Sequence, residues 1–129
     1  MEIKAELKYT KGHEWVRVEG AAVAVGITDY AQARLGEVVF VDLPEVGFAV
    51  SAGVSLMVVE SVKAVSDVYA PVSGIIARVN ETLVDQPELL NEDPYGRGWL
   101  AVLQLTAASE IDQLLDSAAY GALVAGEGD

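Results

Sequence analysis

Few side chains in this sequence could carry chemistry. There is no cysteine, which excludes disulfides, zinc-thiolate sites, iron–sulfur ligation and a catalytic thiol. His13 is the single histidine, so a multi-histidine metal site is impossible. His13 and Glu14 could be read as an acid–base pair. Neighbours along a strand point to opposite faces, however, and a positioned base also needs an orienting partner. Twenty acidic residues offer many carboxylate pairs, but nothing marks one as special. Glu88, Glu92 and Asp93 read as a solvated acidic loop. No phosphate-binding Gly-Lys loop, no Gly-x-Gly-x-x-Gly after a strand and no nucleophile elbow occur.

One lysine stands out. Between Arg34 and Arg78 the only basic residue is Lys63. Two apolar runs flank it, Leu56 to Val59 and Val65 to Tyr69. Paired as a hairpin, they put Lys63 near an exposed tip. A long flexible stem ending in an amine is a good attachment point, and acylation would remove its charge. A lysine at an exposed turn can equally just blunt a strand edge or add solubility. Composition leaves both readings open. The turn is weakly signalled, because Ser61-Val62-Lys63-Ala64 has neither Gly nor Pro.

The elements that must position this lysine are mostly strands. Alternation predicts strands over 14–18 and 23–26. Thr28 or Asp29 caps a short helix reaching about Leu35, stopped by Gly36. Further strands are expected over 37–43, 56–59, 65–69, 75–79 and 99–105. Residues 80–98 read as mostly loop. Ser109 with Asp112 resembles a capping box opening a C-terminal helix. The chain is a single domain over 1–129, with 107–125 a C-terminal helical segment and 126–129 a flexible tail. A faint repeat at an offset of 38 residues pairs Gly36, Val38 and Val41 with Gly74, Ile76 and Val79.

The 129 residues suit one domain with its own core. The net charge is −12. Nucleic-acid binding draws on clustered Lys and Arg, and anionic membranes repel acidic chains, so neither is an expected partner. No window reaches the length of a membrane span, and the mixed-charge start is not a signal peptide.

Glu60-Ser61-Val62-Lys63-Ala64 resembles the lipoylation motif of the glycine cleavage system H protein family. The likeness extends outward from there. Tyr9 to Val16 is similar to the family's N-terminal signature, and Gly26 to Ala31 with Leu35 to Val41 to its next block. Ser66 to Gly74 follows the lysine as in the family, and Asn91 to Gly96 with Gly98-Trp99-Leu100 completes the pattern. Together these blocks span about residues 7–125.

The resemblance implies a mostly β barrel-sandwich hybrid of the lipoyl/biotinyl-carrier type, with a short early helix and a C-terminal helix. It implies a non-catalytic carrier in glycine catabolism, with lipoate joined to Lys63 by an amide. Its partners would be a pyridoxal-phosphate glycine decarboxylase, a folate-dependent aminomethyltransferase, a dihydrolipoyl dehydrogenase and a lipoate-attaching enzyme. Carried over by position, Glu60 and Gly74 serve recognition by the lipoate-attaching enzyme. Glu14 and Asp67 line the cleft that receives the aminomethyl-loaded arm, where a carboxylate suits a cationic amine. A cytoplasmic bacterial protein is expected, ahead of a processed mitochondrial one, and a monomer.

Position 12 departs from the family, since Gly12 lacks the hydrogen-bonding side chain many relatives have there. The approach Val54 to Met57 is also more apolar than usual. Lipoyl domains of 2-oxo acid dehydrogenase complexes usually carry Asp before the lysine, where this chain has Val62. Biotin carriers flank it with Met. Two other classes remain: a lipoyl donor or store with the same sequence pattern, and a free-standing enzyme using His13 or a carboxylate pair.

Amidation of Lys63 would take the charge to −12 − 1 = −13, so partner docking surfaces should be basic. Association rates should fall as salt rises, because screening shortens to roughly 8 Å at physiological ionic strength. Stopped-flow association over a salt series checks this, and salt-independent rates with all three glycine-cleavage enzymes would count against it.

Overall fold

The computed structural model describes residues 1–127. The strands are β1 (Lys8–Tyr9), β2 (Glu14–Glu19), β3 (Ala22–Ile27), β4 (Val38–Asp42), β5 (Ala49–Val50), β6 (Ser55–Ser61), β7 (Val65–Tyr69), β8 (Gly74–Val79) and β9 (Ala101–Leu105). They form a six-stranded sheet in the order β1-β2-β3-β9-β8-β5 and a three-stranded sheet in the order β4-β6-β7. Every pairing is antiparallel.

The larger sheet is buried on both faces where it matters. Val16, Val23, Val25, Ile27 and Leu103 join Val38, Val41, Val59 and Val68 of the smaller sheet in one core. Trp15, Ala24 and Val102, one residue out of phase, face a second core with Tyr9, Tyr30, Tyr95 and Tyr120. Period-two alternation therefore sorts one strand into two cores. This is why Ala22 to Ile27 is apolar without a break.

Helix α1 (Asp29–Leu35) is capped by Thr28, whose hydroxyl accepts the Ala31 N–H at 3.1 Å. Gly36 ends it with φ +84° and ψ −159°, a conformation open to glycine almost alone. Two short helices, α2 (Thr82–Asp85) and α3 (Leu89–Glu92), occupy the stretch expected to be mostly loop. Their Leu83, Leu89 and Leu90 plug the first core. Pro87 and Pro94, each two residues past a helix end, keep them to a single turn each.

The C-terminal region departs from the capping-box reading. Residues Ala108–Gln113 form a 3-10 helix with no side-chain cap. Leu115 then exchanges backbone hydrogen bonds of 2.8 Å with Tyr9, and this bridge pulls the chain straight. Helix α4 (Ser117–Glu127) starts only afterwards. Asp116 caps it, accepting the Ala119 N–H at 2.8 Å. Of the expected tail, Gly126 and Glu127 are helical, while residues 128 and 129 lie outside the described residues. The repeat at offset 38 aligns β4 with β8 in sequence, one strand from each sheet, with Val38 and Ile76 both buried.

Trp15 is fully buried and sits opposite Gly26 in the β2–β3 register. A Cβ at Gly26 would overlap the indole ring. The indole also donates to the Pro94 carbonyl at 2.9 Å, so it has little freedom to move aside. Gly26→Ala should cost about 1–3 kcal/mol by overpacking. A lowered urea midpoint with an unchanged slope is the expected result. An unshifted midpoint would mean that Trp15 repacks freely.

Candidate functional site

Lys63 lies exposed at the turn between β6 and β7. Glu60 and Val65 are the last cross-strand pair before the tip. The turn needs no glycine because Ser61 shapes it. Its hydroxyl accepts the N–H of Ala64 at 3.1 Å and of Lys63 at 3.3 Å, and the Ser61 N–H reaches the Ala64 carbonyl at 2.8 Å. This local side-chain turn is the signal that a search for Gly and Pro misses.

The tip is also tied sideways. The Val62 N–H donates to the Glu37 carbonyl at 2.9 Å. Asn91, from α3, donates to the Gly36 carbonyl at 2.8 Å and accepts the Val38 N–H at 2.9 Å. The corner between α1 and β4 is thereby pinned on both sides of Glu37. The Lys63 stem crosses this corner, and a Cβ on Gly36 would stand 3.2 Å from Lys63 Cε. Gly36 serves both the backbone and the stem.

A groove leads away from Lys63. Its first part, about 730 Å³, is lined by Met1, Tyr30, Ala33, Arg34, Lys63 and Val124. The next, about 370 Å³, shares Tyr30 and Arg34 and adds His13, Leu35, Ala64 and Ser66. The last, about 50 Å³, shares Gly12, Leu35 and Ser66 and adds Glu14, Ile27, Val59 and Asp67. Apolar walls thus lead to an acidic end with room for little more than one small group. Glu14 and Asp67 both line this end, from opposite sheets, but only the Glu14 carboxylate lies between the sheets; Asp67 shares the outer face of the small sheet with Val58 and Asp42.

Glu14 is 4% exposed. Thr10 Oγ1 is hydrogen-bonded to its Oε1, and the same hydroxyl accepts the Glu14 N–H at 3.1 Å. The Tyr69 N–H, at the end of β7, donates to Oε2 at 3.2 Å. Burial pushes the Glu14 pKa up, while the bonds from Thr10 and Tyr69 pull it partly back. Gly12 keeps the approach open, since a Cβ there would stand 3.1 Å from Oε1. Asp67 is exposed, with Oδ1 accepting the Ser55 hydroxyl at 2.7 Å.

The other expected residues are placed differently. Glu60 is half-buried on β6, between Phe40 and Val65 in the register. Gly74 starts β8 in the other sheet. It lies past the far end of β7, whose five residues span about 16 Å from the tip. A Cβ there would meet the Gln104 carbonyl at 2.6 Å, so close strand packing by itself requires glycine. His13 has φ +72°, joins Tyr120 Oη at 2.9 Å and pairs with Glu127 at 3.3 Å. It acts as a joint between the β1–β2 turn and α4. Tyr30 and Arg34, which wall the groove, were not singled out by sequence. The Arg34 Nη1–Tyr30 Oη bond of 2.7 Å spans one helical turn, and that spacing is the available signal.

A buried acid with a raised pKa holds its proton more tightly folded than unfolded. Glu14 therefore lowers stability as pH rises from the ordinary carboxylate value through its raised folded value, by up to about 1.4 kcal/mol per pH unit. Glu14→Gln keeps an acceptor for the Tyr69 N–H and removes this slope. Urea midpoints from pH 4 to 8 should show the variant gaining on the parent as pH rises. Parallel curves would refute this assignment.

Residues 7–127 match the family model described as glycine cleavage H-protein. The chain is 56% identical over 128 residues to the glycine cleavage system H protein of Halorhodospira halophila, covering 98% of each. It is 54% identical over 124 residues to that of Geobacillus kaustophilus, covering 96% of this chain and 98% of that one. The crystal structure of a glycine cleavage system H protein from Mycobacterium marinum superposes with a TM-score of 0.88 at 44% identity, covering 95% and 99%. The two facing sheets are thus the barrel-sandwich lipoyl-carrier fold. On sequence and fold together, the chain belongs to the glycine cleavage H-protein family.

Proposed function

We propose that this chain is the lipoyl-bearing carrier of the glycine cleavage system, with lipoate attached to Lys63. It shuttles an aminomethyl group from the pyridoxal-phosphate glycine decarboxylase to the folate-dependent aminomethyltransferase, and electrons to dihydrolipoyl dehydrogenase. The observation that carries the reading is one lysine, alone on an exposed hairpin tip, at the mouth of a groove ending at a buried carboxylate. The residues present fit the group. Lys63 supplies an accessible amine, and Leu35, Val59 and Ile27 supply apolar walls for an aliphatic arm. Lipoate, when bound, supplies a reducible disulfide on that arm.

The chain's own residues do the rest. Ser61 and Gly36 present the amine in a fixed place. Glu60 is read by the lipoate-attaching enzyme. Gly74 contributes by letting β8 start against β9, which fixes the turn behind the hairpin. Glu14 holds the cationic end of the loaded arm, Asp67 lines the same end of the groove, and the apolar walls keep water from it. The chain serves as a non-catalytic, monomeric component in the cytoplasm. Without cysteine, no protein thiol competes with the dithiol by exchange.

Intact mass after expression in lipoate-fed cells tests this. The parent should gain one lipoyl group and Lys63→Ala none. An unmodified parent, beside a control carrier that is modified, would make Lys63 an ordinary surface lysine.

A further inference from the structure

The outer face of the three-stranded sheet is apolar beside Lys63. In the register, Phe40 on β4 pairs with Glu60 on β6, which pairs with Val65 on β7. The three side chains form one row across the sheet. Phe40 is 51% exposed and Val65 69%, and Val62 at the tip is 66% exposed. A bulge between Val38 and Phe40 turns Val39 outward as well, at 47%. Nothing in the described chain covers this row. The next row is Asp42, Val58 and Asp67, and Glu37 stands exposed beside the tip. Lys63 is the one cation in the stretch from Leu35 to Ala77.

We infer that this row, Phe40–Glu60–Val65 with Val62 at its end, is the docking surface of the lipoate-attaching enzyme. The inference rests on the reading of Lys63 as its substrate. The enzymes of glycine cleavage meet the far end of an arm. The attaching enzyme must bring its own active site to Lys63 Nζ, so it has to seat against the sheet beside the tip. The complementary surface is an apolar recess matched to Phe40 and Val65, with one cation facing Glu60 between them and a rim of Lys and Arg facing Glu37 and Asp42. In the reaction served, the deprotonated Lys63 amine attacks the carbonyl of an enzyme-held acyl-adenylate. A C–N bond forms, the C–O bond to phosphate breaks, AMP leaves and a proton goes to solvent. Nothing is oxidised or reduced.

The test is lipoylation kinetics on the full chain with a purified lipoate-attaching enzyme, lipoate and ATP, read by intact mass. Phe40→Thr with Val65→Thr keeps strand-compatible residues and removes the apolar row. KM should rise about tenfold with little change in kcat. Phe48→Ser, an exposed apolar change in the loop between β4 and β5, should leave both unchanged. Val65→Lys, set against the basic rim, should raise KM further at low salt than at high salt. If the double variant misfolds by circular dichroism, Val65→Thr alone decides, with a smaller rise. An unchanged KM in a folded variant overturns this inference and leaves the carrier reading intact. A parent chain that is never modified overturns both.

Discussion

A buried carboxylate needs hydrogen-bond partners, and Glu14 draws its partners from two sides of the sandwich. Thr10 lies in the turn before β2, and the Tyr69 N–H belongs to β7 in the facing sheet. The same bond satisfies an edge N–H of β7 that would otherwise face the gap between the sheets. Losing the carboxylate would leave that N–H unpaired in a place water reaches poorly. The acid at the end of the groove and the clasp between the sheets are therefore one side chain. Its raised pKa is the sign of that double duty, since burial opposes the charge that the bonds favour.

The hairpin follows the opposite strategy. As the proposed attachment site, Lys63 has to be reachable, and the chain fixes its base and leaves its end exposed. Ser61 closes the turn, Glu37 holds it from the side, and Asn91 holds the corner behind Glu37. Each bond is to the backbone, which leaves the Lys63 amine uncommitted. Gly36 is the point where the two demands meet. Its backbone ends α1 in a glycine-only conformation, and its missing side chain leaves a path for the lysine stem. A larger residue there would strain the helix end and crowd the stem together.

What could be read from sequence divides by range. Thr28 and Gly36 bound α1 as expected, because capping chemistry is local. The strands around Lys63 were legible from their apolar runs. Helix α4 was misplaced, because the bridge of Leu115 to Tyr9 joins residues far apart in the chain and overrides a local capping pattern. The four-residue helices α2 and α3 were hidden by Pro and Gly, though Leu83, Leu89 and Leu90 mark them by burial. Lys63 was visible by its isolation. The burial of Glu14 was not, since a polar residue opening an alternating strand gives no hint that its partner lies 55 residues away. The groove was equally invisible, being assembled from α1, the β1–β2 turn, β7 and α4.

The acidity of the chain takes on a structural meaning beside the exposed row of Phe40 and Val65. An uncovered apolar stripe near the edge of a small sheet invites pairing with a second copy. Here each apolar member is paired with or neighboured by an acid, Glu60 between Phe40 and Val65, and Asp42 and Asp67 in the next row. Two such faces repel each other, whereas a basic-rimmed partner is attracted to either. The stripe can stay apolar enough to be recognised because the charges around it make self-association unfavourable. That balance places a restriction on the surface: neutralising those acids would strengthen the wrong contact as surely as it weakened the right one.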